Sequence, residues 1–338
     1  MNRISWIDVA KGAAIVLIVL HHARDYALSL VPPSPEHVLR WAYIDPLLRH
    51  IRLPLFFLLS GMLASGMGSA CGGFRARRSV SLALVYAGWS VVLLLLVPHW
   101  PDDSRHAIDP ERLTGLLFGA SPLWYLWATA LAFAFAWATR TLASWMAVAL
   151  ACAAGLLLQK YGILIGGAFE VLGLYLPFYC LGACYPRLLT RLAAWRSPRG
   201  GAILLGAYGL SLSPVFDGPG IDLLRSLLGV GLGLAVAGLA AERWPRATAG
   251  LGWLGRRTLP IYILHFPIIA LLCCAAVRQG APLAWQSVAI SLFAPLLTAL
   301  TIALSLALFG LIRAAGAGWL FAMPLSPPQR RRFSATAG

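Results

Sequence analysis

The sequence predicts an all-α integral membrane protein, a bundle of about ten transmembrane helices with both termini in the cytoplasm. Of 338 residues, 59% are hydrophobic and only 12% are charged, with a mean hydropathy of +0.77. A soluble globule cannot cover its surface with so few polar groups. Apolar runs near bilayer-crossing length recur along the chain, separated by short polar connections. The basic residues crowd onto alternate connections, which is the pattern that orients helices during insertion.

The expected spans fall at about 6–28, 53–70, 79–98, 121–139, 141–158, 163–185, 200–216, 221–240, 258–277 and 284–312. With the N-terminus inside, the inner connections hold the Arg75/Arg77/Arg78 cluster, Arg187, Arg191, Arg256 and Arg257, while Glu36, Asp45, Asp102, Asp103 and Asp109 lie outside. The net charge of +15 is then topogenic, and a nucleic-acid partner has nothing left to explain. Arg3 and Lys11 precede a short apolar core as in a signal peptide, but no small-x-small cleavage site follows, so this stretch is read as the first span. Residues 1–322 are expected to form one membrane domain and 323–338, rich in proline and arginine, a disordered basic tail. The six cysteines have neither the flanks of a zinc site nor the spacing of a disulfide framework, and no metal or bound cofactor is expected. The protein is placed as a multi-pass component of the cytoplasmic (inner) membrane.

The first span carries the chemistry. In DVAKGAAIVLIVLHHARD the uninterrupted apolar core runs only from Ala13 to Leu20, so Lys11 at one end and His21 and His22 at the other must enter or border the membrane. Lys11 and His22 are eleven residues apart, close to three helical turns, and share a face with a rise of about 16 Å. Asp8 and Asp25 extend the same stripe by one turn at each end. Lys11 is either a snorkelling interfacial lysine or part of a functional path. An ionisable group inside a span usually faces the bundle interior, and a histidine with a carboxylate one turn away has what a general base needs.

Further segments follow in order: Arg52-Leu-Pro-Leu-Phe-Phe-Leu-Leu-Ser-Gly61, the basic run Phe74–Arg78, Leu123-Trp-Tyr-Leu126, Leu176-Pro-Phe-Tyr-Cys-Leu-Gly182, and Leu254 to Pro267 with its Ile-Tyr-Ile-Leu-His265. Together with the basic-x10-His pattern of Lys11 and His22, these resemble the acyltransferase family 3 membrane O-acyltransferases, which include the fucose 4-O-acetylase-like proteins. Lys11 stands where family members often have arginine, keeping the charge but not the bidentate grip on phosphate. The resemblance implies transfer of an acyl group, usually acetyl from cytoplasmic acetyl-CoA as co-substrate, to a hydroxyl of a surface or exported glycan, or of a lipid-linked sugar.

In that frame His22 is expected to be the general base, with direct transfer and an acyl-histidine both open. Asp25 would orient its ring or be a solvated helix end. Arg52, near the depth of His22, would stabilise the oxyanion, grip an anionic acceptor, or anchor the interface. Lys11, Arg75, Arg77 and Arg78 are the cations available to the donor's phosphates. His265 is expected to lie deeper than His22 and out of direct contact with it, lining the donor channel or filling the core. His21, Trp124 and Glu170 are candidates for the acceptor pocket, with Glu170 alternatively paired to Arg225. A proton-coupled secondary transporter or glycan-lipid flippase is the alternative, with His22, Glu170 and His265 as relay groups; no inverted repeat is visible in the sequence.

Overall fold

The structure, a computed structural model, describes residues 5–30, 35–65, 72–96, 110–195, 197–213, 215–216, 220–278 and 289–321. These residues form thirteen α-helices and no strand. In chain order they are α1 (Ser5–Leu30), α2 (Pro35–Ser65), α3 (Gly72–Leu96), α4 (Pro110–Leu117), α5 (Trp124–Ala138), α6 (Ser144–Tyr161) and α7 (Gly167–Cys184). Then come α8 (Pro186–Ala193), α9 (Pro198–Ser211), α10 (Ile221–Arg243), α11 (Pro245–Gly255), α12 (Thr258–Arg278) and α13 (Ala289–Ala314). The chain is an all-α membrane bundle. Among the described residues, eight helices are long and apolar enough to cross a bilayer: α1, α2, α3, α6, α7, α10, α12 and α13. The expected tail, 323–338, lies outside the described residues.

Two expected spans are shorter than drawn. The fourth is α5, an apolar helix of 15 residues. The seventh is α9, whose 14 residues rise about 21 Å, short of a hydrocarbon core of about 30 Å. Counting apolar residues through 212–216 overran its end, because the helix stops at Ser211 and a turn follows. The second span begins earlier than expected, at Leu47 rather than 53. The helix continues through its polar residues because His50 and Arg52 are buried against partners inside the protein.

Helix α1 is the axis of the bundle, packed on α2, α10, α11, α12 and α13. Outside it, α2 packs on α7, α7 on α6, and α3 on α5. Without a hydrophobic drive between helices in lipid, close approach depends on small residues. Gly61 on α2 and Gly182 on α7 supply it reciprocally. A Cβ at Gly61 would lie 2.0 Å from the Tyr179 carbonyl oxygen, and one at Gly182 2.0 Å from that of Leu58. Because the obstacle is backbone, Gly182→Leu should exceed the usual overpacking cost of about 1–3 kcal/mol. The expected result is loss of monodisperse protein or a clearly lowered melting temperature in detergent; melting like the wild type would refute this packing.

Candidate active site

Helix α1 brings its ionisable groups into the bundle because its apolar face, Ala14, Ile15, Ile18, Val19 and Ala23, is buried and anchors it there. At one end Asp8 lies 3.9 Å from Arg256, while Lys11 is half-buried. At the other end the half-buried ring of His22 lies between two other imidazoles, with ring centroids 5.1 Å from His21 and 5.2 Å from His265. Phe266 closes one side at 6.1 Å.

The contact with His265 overturns the expectation that the two histidines lie at different depths. A residue count from Arg256 and Arg257 separates the two histidines in depth only if α1 and α12 start from one plane. Instead the α11–α12 turn is docked within α1, with Gly255 closely packed against the Asp8 carbonyl. Depth on one helix therefore does not carry over to its neighbour.

His265 is completely buried, and its Nδ1 lies 2.6 Å from the Tyr262 carbonyl oxygen. A carbonyl only accepts, so Nδ1 carries the hydrogen and Nε2 carries the lone pair. That Nε2 has no hydrogen-bond partner among the described residues. A buried, oriented imidazole lone pair therefore lies beside His22.

Asp25 is 44% exposed and turns to His21, its Oδ2 lying 3.3 Å from Nε2, and to Arg24, whose Nε donates at 2.8 Å. The contacts found for Asp25 are thus to the neighbours of the predicted base, not to its ring. The acid that organises the site is Asp45. Its Oδ1 accepts from Arg52 Nη1 at 3.0 Å, lies 2.9 Å from Arg24 Nη1, and is 3.4 Å from His21 Nδ1. Burial alone would raise the Asp45 carboxyl, but the Arg52 hydrogen bond and the charges of Arg52 and Arg24 outweigh it and hold it below the ordinary value of 3.8. A carboxyl lowered on folding contributes stability above its unfolded pKa and loses it as pH falls through the folded one. The clamp is therefore intact at neutral and mildly acid pH. Arg52, only 4% exposed, commits one N–H to Asp45 out of the five a guanidinium carries.

Behind the histidines the quoted sequence segments converge. Phe57 stacks on Tyr175 at 5.2 Å and on Trp124 at 6.3 Å, Tyr125 meets Tyr262 at 5.3 Å, and Tyr262 meets His265 at 5.5 Å. Tyr262 Oη donates to the Pro122 carbonyl at 3.2 Å and accepts from Tyr125 N at 3.3 Å. Trp124 belongs to this aromatic wall. Tyr262→Phe removes two buried contacts and should lower stability by about 1–3 kcal/mol, read as a drop in melting temperature; no change would mean that the hydroxyl does not tie α12 to α5.

Glu170 is exposed in the first turn of α7. It lines a separate cavity of about 490 Å³ with Arg49, His50, Gln159 and Asp222, whose lining includes neither His22 nor His265. The contacts found for Arg225 are not to Glu170: Arg225 binds Asp222 at 3.0 Å and the carbonyls of Ser211 and Phe216. The side chains of Arg75, Arg77 and Arg78, at the start of α3, lie outside the described residues. His21, His22 and Asp25 offer ligand atoms within 4.8 Å of one another. They are ill suited to a metal, because Arg24 already engages His21 and Asp25 and its charge opposes a cation.

Such a site, carried by a lipid-spanning bundle and built from imidazoles and a clamped arginine, has the groups that acyl transfer to a hydroxyl uses. A family model described as an acyltransferase domain, acyltransferase family 3, matches residues 4–310. The chain belongs to that family of membrane acyltransferases and is an enzyme that transfers acyl groups. No curated protein and no solved structure matches it.

Proposed function

We propose that the protein moves an acyl group, acetyl in the first instance, from acyl-CoA supplied by the cytoplasm to a hydroxyl of a sugar in a surface or exported glycan, and that it does so in the cytoplasmic membrane. The observation that carries this reading is the packing of His22 against the oriented, lone-pair-bearing His265, next to a buried arginine clamped by Asp45.

His22 takes the proton of the acceptor hydroxyl as its oxygen bonds to the thioester carbonyl carbon. The carbonyl oxygen becomes an oxyanion, which the unspent N–H groups of Arg52 stabilise. Collapse re-forms the carbonyl and breaks the carbon–sulfur bond, and the proton held by His22 passes to the CoA sulfur. Ester and free CoA leave, and the base is neutral again. His265 acts as a positioning residue: its buried ring packs against His22, and its Nε2 lone pair is available to a His22 N–H once the substrates are in place, which would turn the other His22 nitrogen toward the acceptor. Lys11, about 16 Å down the same helix, serves the donor's phosphates, helped by Arg75, Arg77 and Arg78.

The O-acyl content of cell-surface glycans tests this in three strains: intact, deleted, and expressing His22→Ala at normal level. Loss of one ester in both altered strains is expected. Loss on deletion alone would keep the acyltransferase and remove His22 from its chemistry. No change in any ester would remove surface glycans as the acceptor.

A further inference from the structure

Far from the histidines, a cavity of about 410 Å³ opens between the α11–α12 turn and the C-terminal part of α13, lined by Trp253, Arg257, Leu306, Phe309, Gly310 and Arg313. Each arginine is fixed over an aromatic ring of the same wall, Arg257 at 4.1 Å from the Trp253 centroid and Arg313 at 5.7 Å from that of Phe309. Arg257 Nη1 also donates to the Trp253 carbonyl at 3.2 Å. Among the described residues neither guanidinium has a carboxylate partner. Two cations on one opening repel each other, and an anion between them removes that repulsion with charge-assisted hydrogen bonds.

The consecutive arginines divide their roles: Arg256 turns to Asp8 on the central helix, while Arg257 turns to this outer cavity. Arg313 stands in the last turn of the apolar span Phe293–Ala314, and Arg257 immediately before the span Thr258–Ala276. Both therefore lie at the membrane boundary that the charge pattern assigns to the cytoplasm, where anionic lipid headgroups concentrate. Neighbouring Leu308 and Leu311 on α13 are exposed and apolar, a surface for acyl chains. Gly310 keeps the wall open: a Cβ there would meet nothing within 4 Å.

We propose that this cavity binds the phosphodiester headgroup of an anionic phospholipid. Phosphate also occurs in CoA, but no residue of α1, along which the donor is proposed to reach His22, lines this cavity.

The test is native mass spectrometry of the purified full-length protein from micelles supplemented with phosphatidylglycerol, phosphatidylcholine or CoA. Three proteins are compared: wild type, the double variant Arg257→Gln/Arg313→Gln, and Gly310→Leu. Wild type should retain phosphatidylglycerol in preference to phosphatidylcholine. The double variant should lose about tenfold or more in retention, because hydrogen bonds to charged groups are involved. Gly310→Leu should lose it too while melting like the wild type without lipid, since its side chain grows into open space. Unchanged retention in either variant would overturn the site. Displacement of the lipid by CoA, with CoA binding abolished in the double variant, would overturn the lipid assignment in favour of the donor's phosphates.

Discussion

His22→Ala is expected to lower acyl transfer by the purified protein by about 10²- to 10⁴-fold, the usual contribution of a positioned general base. The loss should fall on the maximal rate with little change in donor affinity, because His22 is about 16 Å along α1 from Lys11. The imidazole is half-buried beside His21, His265 and Phe266. Truncation leaves a small gap in that cluster without disturbing the buried face of α1, so thermal melting should stay close to the wild type. His265→Gln offers a milder comparison. It keeps the buried contact with the Tyr262 carbonyl but replaces the ring lone pair, and it should lower the rate by less than His22→Ala. Equal rates in His22→Ala and wild type would remove the base from this site.

The second large effect is expected at Asp45. Asp45→Asn removes the carboxylate that Arg24, Arg52 and His21 share, and the neutral amide cannot hold two guanidiniums as the carboxylate does. Breaking a buried charge network by removing one partner costs more than the net worth of the pair, because the other charge is left uncompensated. Arg52 is the more buried of the two arginines and should move most. The expected outcome is a loss of activity of about tenfold or more, with lowered stability. Asp25→Asn is the control. Its carboxylate is 44% exposed and bonded to Arg24 at the outer end of α1, where an exposed pair contributes little. A larger loss in Asp25→Asn than in Asp45→Asn would reverse the ranking of the two acids.

That ranking separates what was legible in the sequence from what was not. The Lys11–His22 stripe, the all-α membrane fold and the order of the motif segments could be read directly, because helical periodicity and hydropathy act within one segment. Hydropathy places Asp45 in an outer loop, because the apolar run of the second span starts only at residue 53. Once α2 runs from Pro35, Asp45 and Arg52 are seven residues apart, two turns on one face, and the pair is an ordinary helix-surface contact extended inward. The signal was present in the i,i+7 spacing, but only if the helix was allowed to continue through its charges. Spacing of i,i+3 points Asp25 at His22, whereas the i,i+4 neighbour His21 receives it. The His22–His265 contact joins residues 243 positions apart, and no count from a cytoplasmic landmark could fix it without the docking of α11 on α1. The role of Gly61 and Gly182 as a helix–helix contact was equally hidden, since a Ser-Gly or Leu-Gly pair looks the same in any apolar span.

The most direct measurement is the mass of an acceptor glycan after incubation with proteoliposomes and acetyl-CoA carrying a deuterated acetyl group. Wild-type protein is predicted to place the labelled ester on the glycan with release of one CoA thiol per ester, and His22→Ala to place almost none. Labelled glycan from His22→Ala at the wild-type rate, or no thioester consumption by folded wild-type protein with a range of glycan acceptors, would contradict the account.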